Sequence, residues 1–391
     1  MESLNTTEIV EKIMAKIKEE YANLTTLNVM VLGKTGVGKS TLINHMFGET
    51  IVKTGIGRPV TQNIRKYEKD GFPLAIYDTP GLELDGEHAV DSLLEQVVGV
   101  TKDSLSKGDL SSAIHCIWYC VSATSHRFEP SEVSFVKRLL EKLEGFNIPV
   151  ILILTQAYNK KDAAELKRVI DNENLSIVQA IPVLAENYTL DDLGTIKAYG
   201  LTDLTSVMLE VIPEAVKKTF IAMQKADLKL KRAKAHAVVV TAAAASAATG
   251  AIPIPFSDAA LLVPEQISMI AGITAVFGIP ISKATMTAVL TSTIGTAGTT
   301  ILGKTIVTGL IKLIPGAGSA VGGAISAVTA AALTSALGEA YIGILTMIVS
   351  GEMKPEDLDT EEGKAIIANA FKERLQIKRK DNGEPLDNPP D

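Results

Sequence analysis

The chain has 391 residues and a mass of 41.5 kDa, a length that fits two or three domains. It carries 38 basic and 45 acidic residues, a net charge of −7, which argues against a nucleic-acid binder because such proteins are usually basic overall or along one stripe. The two cysteines, Cys116 and Cys120, exclude a disulfide framework and suit a reducing cytosol or a cytosol-facing membrane protein. The first 21 residues contain no apolar core segment and therefore do not predict a secretory signal.

Charge is distributed unevenly along the chain. Residues 235–350 contain six charged residues, although the whole chain contains 38 basic and 45 acidic ones. We therefore expect this third of the chain to hide its surface from water, either in lipid or against itself. The composition predicts five segments: an N-terminal amphipathic helix (1–26), an α/β domain (27–212), a charged linker helix (213–234), an Ala/Gly-rich helical domain (235–350), and a charged helix with a disordered tail (351–391).

The predicted elements follow in chain order. Residues 6–24 have apolar residues at helical spacing, which predicts a helix packed on a neighbouring domain or, alternatively, on a membrane surface. Strands are then predicted at 27–33, 72–79, 113–121, 148–155 and 177–185, and helices at 39–47, 87–106, 129–144, 161–171 and 200–211. Alternating apolar strands and helices predict an α/β fold with a mostly parallel sheet covered by helices on both faces. The region 235–350 is predicted to be all-α.

The strongest motif lies at residues 33–40, GKTGVGKS, which fits the phosphate-loop pattern G-x-x-x-x-G-K-[ST]. A buried strand precedes it and a helix follows, as the motif requires. We predict that Lys39 reaches the β- and γ-phosphates and that the Ser40 hydroxyl binds Mg²⁺. The predicted phosphate-binding residues are Gly33, Lys34, Thr35, Gly36, Val37, Gly38, Lys39, Ser40 and Thr41.

Two further segments accompany this loop. Asp78 ends a predicted apolar strand in the sequence DTPG and is placed to hold Mg²⁺, while the backbone N–H of Gly81 is placed to sense the γ-phosphate. The stretch 51–64 is rich in Gly, Pro and Thr, and Thr61 within it is the predicted metal and γ-phosphate sensor; a strand-edge threonine is the simpler alternative.

Together GKTGVGKST, RPVTQN and DTPG resemble the translation-factor-related class of small GTPases, close to its Era-like and septin-like branches. The resemblance covers about residues 27–211. It implies GTP as ligand, Mg²⁺ as cofactor and GTP hydrolysis as the reaction, with Lys39, Thr61 and Gly81 as the catalytic residues.

The element that reads guanine in this family departs from its pattern. The family places N/T-K-x-D after the fifth strand, but here Thr155 and Gln156 are followed by Tyr158 where the aspartate belongs. A literal N-K-x-D match, ending in Asp162, comes four residues later. Either Asp162 reads the base or this run is a solvated charge run, and the usual length of strands favours the second. Ala185 lies where the family supports guanine through a backbone N–H, although the surrounding match is poor.

The position that orients the attacking water also departs from the family pattern. Ras-like enzymes place glutamine directly after the DxxG glycine, whereas this chain has Leu82. Leucine cannot polarise water, so we expect slow intrinsic hydrolysis that depends on another residue, including one from a second subunit.

The apolar region contains charge-free windows at 235–257, 266–282, 284–303 and 313–338. Two exceed the roughly 20 residues that span a bilayer, and the basic residues of 225–234 would suit a cytosolic face. Abundant Ala, Ser, Thr and Pro instead favour a compact helical domain, with Gly318 and Gly322 at helix contacts. This region resembles the YcjF-like C-terminal domain of unknown function, whose members are usually membrane-associated. The overall layout also resembles immunity-related GTPases.

Three hypotheses follow. The first is a GTPase switch that couples the nucleotide to an apolar, membrane-associated helical module. The second is a soluble switch that docks a protein partner, and the third is a pseudoenzyme that binds nucleotide structurally. The predicted partners are GTP or GDP, a second copy through the GTPase domain, and a membrane, without nucleic acid. The predicted localisation is cytoplasmic or on the cytosolic face of a membrane.

Overall fold

The structure of the chain is a computed structural model. It describes residues 6–48, 56–59, 64–69, 72–79, 87–106, 108–190, 194–250, 263–294, 327–367 and 369–370. The predicted sensors Thr61 and Gly81, together with Leu82, Gly318, Gly322 and the predicted disordered tail, lie outside these residues.

Two compact units divide the chain: Leu24–Asp227 forms one, and Met1–Asn23 joins Leu228–Asp391 in the other. We call them the α/β unit and the helical unit. Within its described residues, the α/β unit contains nine strands: β1 (Leu27–Gly33), β2 (Ile56–Pro59), β3 (Arg65–Lys69), β4 (Phe72–Asp78), β5 (Cys116–Ser122), β6 (Val150–Thr155), β7 (Ala180–Pro182), β8 (Tyr188–Leu190) and β9 (Gly194–Ile196). Its helices are α2 (Lys39–Phe47), α3 (Glu87–Ser106), α4 (Pro130–Lys142), α5 (Lys160–Asn172), α6 (Leu201–Val211) and α7 (Glu214–Met223).

Seven strands form one sheet in the order β2-β3-β4-β1-β5-β6-β7. The strands β4, β1, β5, β6 and β7 are parallel, whereas β3 pairs antiparallel with both β2 and β4. Every residue of β1 and β6 is buried, as expected for parallel strands covered on both faces. This confirms the predicted mostly parallel α/β fold, and it brings the carboxyl ends of β1, β4, β5 and β6 to one edge.

The helical unit contains α1 (Thr6–Ala22), α8 (Leu228–Gly250), α9 (Val263–Phe277), α10 (Lys283–Ile294) and α11 (Ala327–Ser350) among the residues described. Helix α8 packs against α9 and α11, and α1 packs against α9 and α10. Gly338 of α11 illustrates the close approach, because a Cβ there would lie 2.5 Å from Cγ2 of Val239. Small residues thus bring these helices together, as the composition predicts.

One segment differs from the sequence predictions. The charged stretch 213–234, predicted as one linker helix, consists of α7 and the start of α8, separated at residues 224–227. Gln224 ends the first helix there, because its side chain accepts from the backbone N–H of Asp227 and donates to that residue's carbonyl. Helix α1 buries its apolar stripe in the core of the helical unit, in agreement with the packing on another domain that its pattern predicts.

One helix in the described part of the chain is long and apolar enough to cross a bilayer. It covers Ala330–Ser350, 21 residues with a mean hydropathy of 1.6, and 53% of its most apolar window is buried within the structure. A core helix of a soluble protein meets the same criteria. Lys231, in the basic stretch 225–234, is buried and donates to the carbonyl oxygen of Phe277 at 2.8 Å.

Candidate nucleotide-binding site

The phosphate loop joins the end of β1 to the start of α2. Gly33 has φ of 144°, and a Cβ at this position would lie 2.5 Å from the carbonyl oxygen of Cys120 on β5. Gly38 caps α2 with φ of 93°, in the left-handed region that favours glycine. Both glycines are therefore required by local geometry. The loop they shape places the N-terminus of α2, where backbone N–H groups point out of the helix, at the edge of the sheet.

Lys39 and Asp78 are the charged groups at this edge. Lys39 is 8% exposed and its Nζ donates to the carbonyl oxygens of Gly33 at 2.8 Å and Lys34 at 3.0 Å. Burial lowers the pKa of Lys39, an effect that Asp78 opposes. Burial also raises the pKa of Asp78 to about 6, although Lys39 and Arg65 both act to lower it. The site therefore holds a buried ammonium beside a carboxylate that has lost much of its hydration.

The oxygen atoms of Asp78 and Ser40 suit a hard cation. Asp78 Oδ1 is buried and has no hydrogen-bond partner in the described structure, and a buried charged oxygen without a partner is unfavourable. Ser40 follows Lys39 in the first turn of α2 and is exposed. Carboxylate and hydroxyl oxygens are the ligands that Mg²⁺ prefers, so these two residues fit the predicted metal site.

The turn after β6 contacts the phosphate loop directly. The Thr155 hydroxyl donates to the carbonyl oxygen of Val37, and Gln156 Nε2 donates to the carbonyl oxygen of Gly36 at 3.0 Å. Gln156 adopts φ of 53°, and its Oε1 accepts from the Ser122 hydroxyl at 2.6 Å. The predicted residues Thr155 and Gln156 thus join the ends of β5 and β6 to the loop.

The second predicted base-reading register lies elsewhere. Asn159 caps α5 by accepting from the backbone N–H of Lys161 at 2.9 Å, so the literal N-K-K-D match forms a helix start. Asp162 lies in the first turn of α5 with Oδ2 3.9 Å from His126 Nδ1. Ala185 follows β7 and is half-buried.

The remaining loop residues occupy different environments. Val37 is buried, Thr41 is half-buried and Thr35 is exposed. Lys34 is directed away from the loop toward the start of α4, where its Nζ lies 2.7 Å from Glu129 and 3.7 Å from Glu132.

Sequence reasoning did not identify Glu129, Glu132 or Ser122 as neighbours of the phosphate loop. The position of Ser122 in the sequence could have identified it, because it ends a parallel strand that lies beside β1. The acidic pair lies at a helix start in a distant part of the sequence and carried no such signal.

Comparison with known families agrees with this geometry. Residues 28–156 match the model of the 50S ribosome-binding GTPase family. This segment is a P-loop GTPase domain. Residues 217–370 match the model of a domain of unknown function, DUF697. The chain thus combines a GTP-binding GTPase domain with a DUF697 domain, which confirms the family resemblance of the sequence.

Curated relatives match about two fifths to one half of the chain. GTPase Era of Vibrio cholerae is 30% identical over 162 residues, covering 40% of this chain and 45% of the relative. Human Septin-12 is 24% identical over 186 residues, covering 42% of this chain and 51% of the relative. The chain therefore spans about half the length of the curated relatives it matches.

Solved structures with similar folds include Toc33 from Arabidopsis thaliana in complex with Mg²⁺ and GMPPNP. That structure has 21% identity and a TM-score of 0.32, with 55% of this chain and 92% of that chain covered. An Era structure in complex with MgGDPNP and nucleotides of 16S ribosomal RNA has 19% identity and a TM-score of 0.31, with 49% of this chain and 58% of that chain covered.

Proposed function

We propose that the chain is a GTP-hydrolysing switch whose nucleotide state determines what its DUF697 domain binds. The observation that carries this proposal is the junction of the phosphate loop with Asp78. Lys39 and Asp78 are both buried at the carboxyl ends of β1 and β4, where ligands of parallel sheets bind. The phosphates of a triphosphate would pair with the Lys39 ammonium, and its metal ion would pair with the Asp78 carboxylate.

Each residue has a defined task in this proposal. The backbone N–H groups of residues 36–41 surround the phosphates, and the Lys39 ammonium moves from the Gly33 and Lys34 carbonyls to phosphate oxygens. Ser40 and Asp78 hold Mg²⁺, with Thr61 as a further ligand. Bound Mg²⁺ supplies neutralisation of the phosphate charge. Thr61 and Gly81 sense the γ-phosphate and connect its presence to the rest of the chain.

Hydrolysis in this proposal is slow in the isolated chain. Leu82 offers no hydrogen bond to the attacking water, so the transition state lacks one stabilising group. We propose that a second copy of the chain, docking through the GTPase domain, completes the site.

The proposed setting is the cytoplasm, with conditional association of the helical unit with the cytosolic face of a membrane. Its support is the apolar composition of 235–350 and the helix Ala330–Ser350. The alternative is a soluble switch that docks a protein. Binding of nucleic acid is not part of the proposal, because the chain is acidic overall; the RNA in the Era structure belongs to that protein.

The test is replacement of Lys39 by alanine. Loss of a buried counter-charge for phosphate removes several of the roughly 8 kcal/mol that micromolar binding represents, so we expect GTP binding to fall below detection in a folded protein. Lys137→Ala is the matched control, because Lys137 lies on the surface with 48% of its side chain exposed. Titration with a fluorescent GTP analogue in Mg²⁺ measures both. Equal affinity in Lys39→Ala and Lys137→Ala would refute the site assignment.

A further inference from the structure

The order of the strands orients a nucleotide along the sheet edge. Asp78 ends β4 on one side of β1, and β5, β6 and β7 follow on the other side. With the metal and the terminal phosphate at Asp78, the nucleoside must extend toward the ends of β6 and β7. The segments that follow these two strands are therefore the ones available to line the site of the base.

The segment that follows β6 is held to the phosphate loop by hydrogen bonds. Thr155 and Gln156 bond to the carbonyl oxygens of Val37 and Gly36. Tyr158 follows two residues later, and its backbone N–H donates to the carbonyl oxygen of Gln156 at 2.8 Å. The position of Tyr158 relative to the phosphates is thus set by a short, hydrogen-bonded turn.

Tyr158 pairs with an aromatic residue from the segment after β7. Its ring centroid lies 4.4 Å from that of Tyr188, with an interplanar angle of 48°. Tyr188 is 41% exposed, and Tyr158 is half-buried. This Tyr158–Tyr188 pair presents aromatic surface at the end of the site where the base must lie.

Among the described residues, Asp162 and Glu186 carry the carboxylates nearest in sequence to Tyr158 and Tyr188. Residues 155–159 are Thr, Gln, Ala, Tyr and Asn, so the turn itself contains none. Asp162 Oδ2 lies 3.9 Å from His126 Nδ1, and Glu186 Oε2 lies 3.8 Å from His45 Nε2. Each of these two acidic side chains therefore lies near a histidine of another segment, at a distance longer than a hydrogen bond.

We infer that the base of the nucleotide is held by stacking on the Tyr158–Tyr188 pair, and that no carboxylate of the described residues reads its edge. This inference rests on the proposed nucleotide site and defines its ligand class as a purine nucleoside triphosphate. A carboxylate accepts two hydrogen bonds from guanine and none from the corresponding edge of adenine, so a site built around one rejects adenine by several orders of magnitude. Stacking accepts either purine, because every base has a π-face. The chain therefore prefers GTP over ATP by about tenfold or less.

The experiment compares displacement of a fluorescent GTP analogue by GTP and by ATP from the full chain in Mg²⁺. Tyr158→Asp restores a carboxylate, and we expect the GTP/ATP preference to rise at least tenfold, through tighter GTP binding. Tyr158→Ala removes the ring and should weaken GTP and ATP alike, by about tenfold, as for loss of one base–aromatic stack. Tyr158→Phe keeps the ring and should retain both affinities within about twofold.

Two further variants test the alternative that one of the neighbouring carboxylates reads the base. Asp162→Asn and Glu186→Gln should leave the GTP/ATP ratio unchanged, and loss of the preference in either would overturn the inference. A thousandfold preference for GTP in the unmodified chain, or selective loss of GTP binding in Tyr158→Phe, would also overturn it. Lys39→Ala is measured in parallel: if it binds normally, the phosphate site itself is wrong, whereas failure of the tyrosine variants alone rejects only the base assignment.

Discussion

At the scale of single residues, Asp78 links stability to binding. The raised pKa of Asp78, about 6 compared with 3.8 for an ordinary aspartate, has burial as its main cause. Between pH 4 and 6 the unfolded chain releases this proton while the folded chain retains it. The free energy of unfolding therefore falls as pH rises through this range and stays reduced above it. A group that destabilises the fold at neutral pH is typical of a binding site.

Replacing Asp78 by asparagine tests this linkage. Asparagine stays neutral, so above pH 6 we expect the nucleotide-free variant to be more stable than the unmodified chain, by up to about 3 kcal/mol. Near pH 4 the two should be equal. The same variant should bind nucleotide more weakly in Mg²⁺, because a metal ligand has lost its charge.

Urea unfolding of the nucleotide-free protein at several pH values measures this difference. Asp171→Asn is the control, because Asp171 forms an i,i+4 ion pair with Lys167 and 49% of its side chain is exposed. We expect it to change stability by less than about 1 kcal/mol. A less stable Asp78→Asn protein at pH 7.5 would contradict the burial argument.

At the scale of elements, the strands and helices of the α/β unit were the most predictable part. β1, α2 and α3 have the predicted bounds, because each combines a long apolar or amphipathic pattern with a clear boundary residue. The two helices of 213–234 were missed, because Gln224 ends the first one through side-chain bonds that periodicity does not encode. The contacts of Thr155 and Gln156 with the phosphate loop also depend on the sheet order, which joins residues about 120 positions apart in sequence.

Helix α1 provides a stability test for the helical unit. Ile13 is 1% exposed and belongs to the same core as residues of α9, α10 and α11. Ile13→Ala should reduce the stability of this unit by about 2–5 kcal/mol, through lost burial and the cavity that remains. Lys18→Ala, on the exposed face of the same helix, should have an effect near zero. Hydrogen exchange of α8 and α9 reads out the unit directly. Equal protection in both variants would show that α1 contributes nothing to this core.

At the scale of the whole molecule, hydrolysis is expected to depend on protein concentration. Leu82 leaves the attacking water without a side chain to orient it, and a residue supplied by a second chain is worth about 10³–10⁵ in rate. In a dilution series, specific activity should therefore rise with protein concentration and reach a plateau as the dimer forms. Lys39→Ala provides the background rate. Fast turnover that does not vary with concentration would mean that one chain contains the complete site, and bound GTP without turnover at any concentration would favour the pseudoenzyme.

Coupling between the nucleotide and the DUF697 domain is the remaining expectation for the whole chain. A ligand shifts a conformational equilibrium only by its differential affinity for the two states, so a switch must bind its target differently with GDP and with a non-hydrolysable GTP analogue. We expect co-sedimentation with anionic liposomes to be at least tenfold stronger with the analogue, which corresponds to about 1.4 kcal/mol of coupling. Lys39→Ala should bind liposomes equally under both conditions, because it cannot hold either nucleotide.

Strong liposome binding by the unmodified chain that does not depend on the nucleotide would indicate a constitutive membrane protein. Absence of liposome binding in both states would leave a protein partner as the target of the switch.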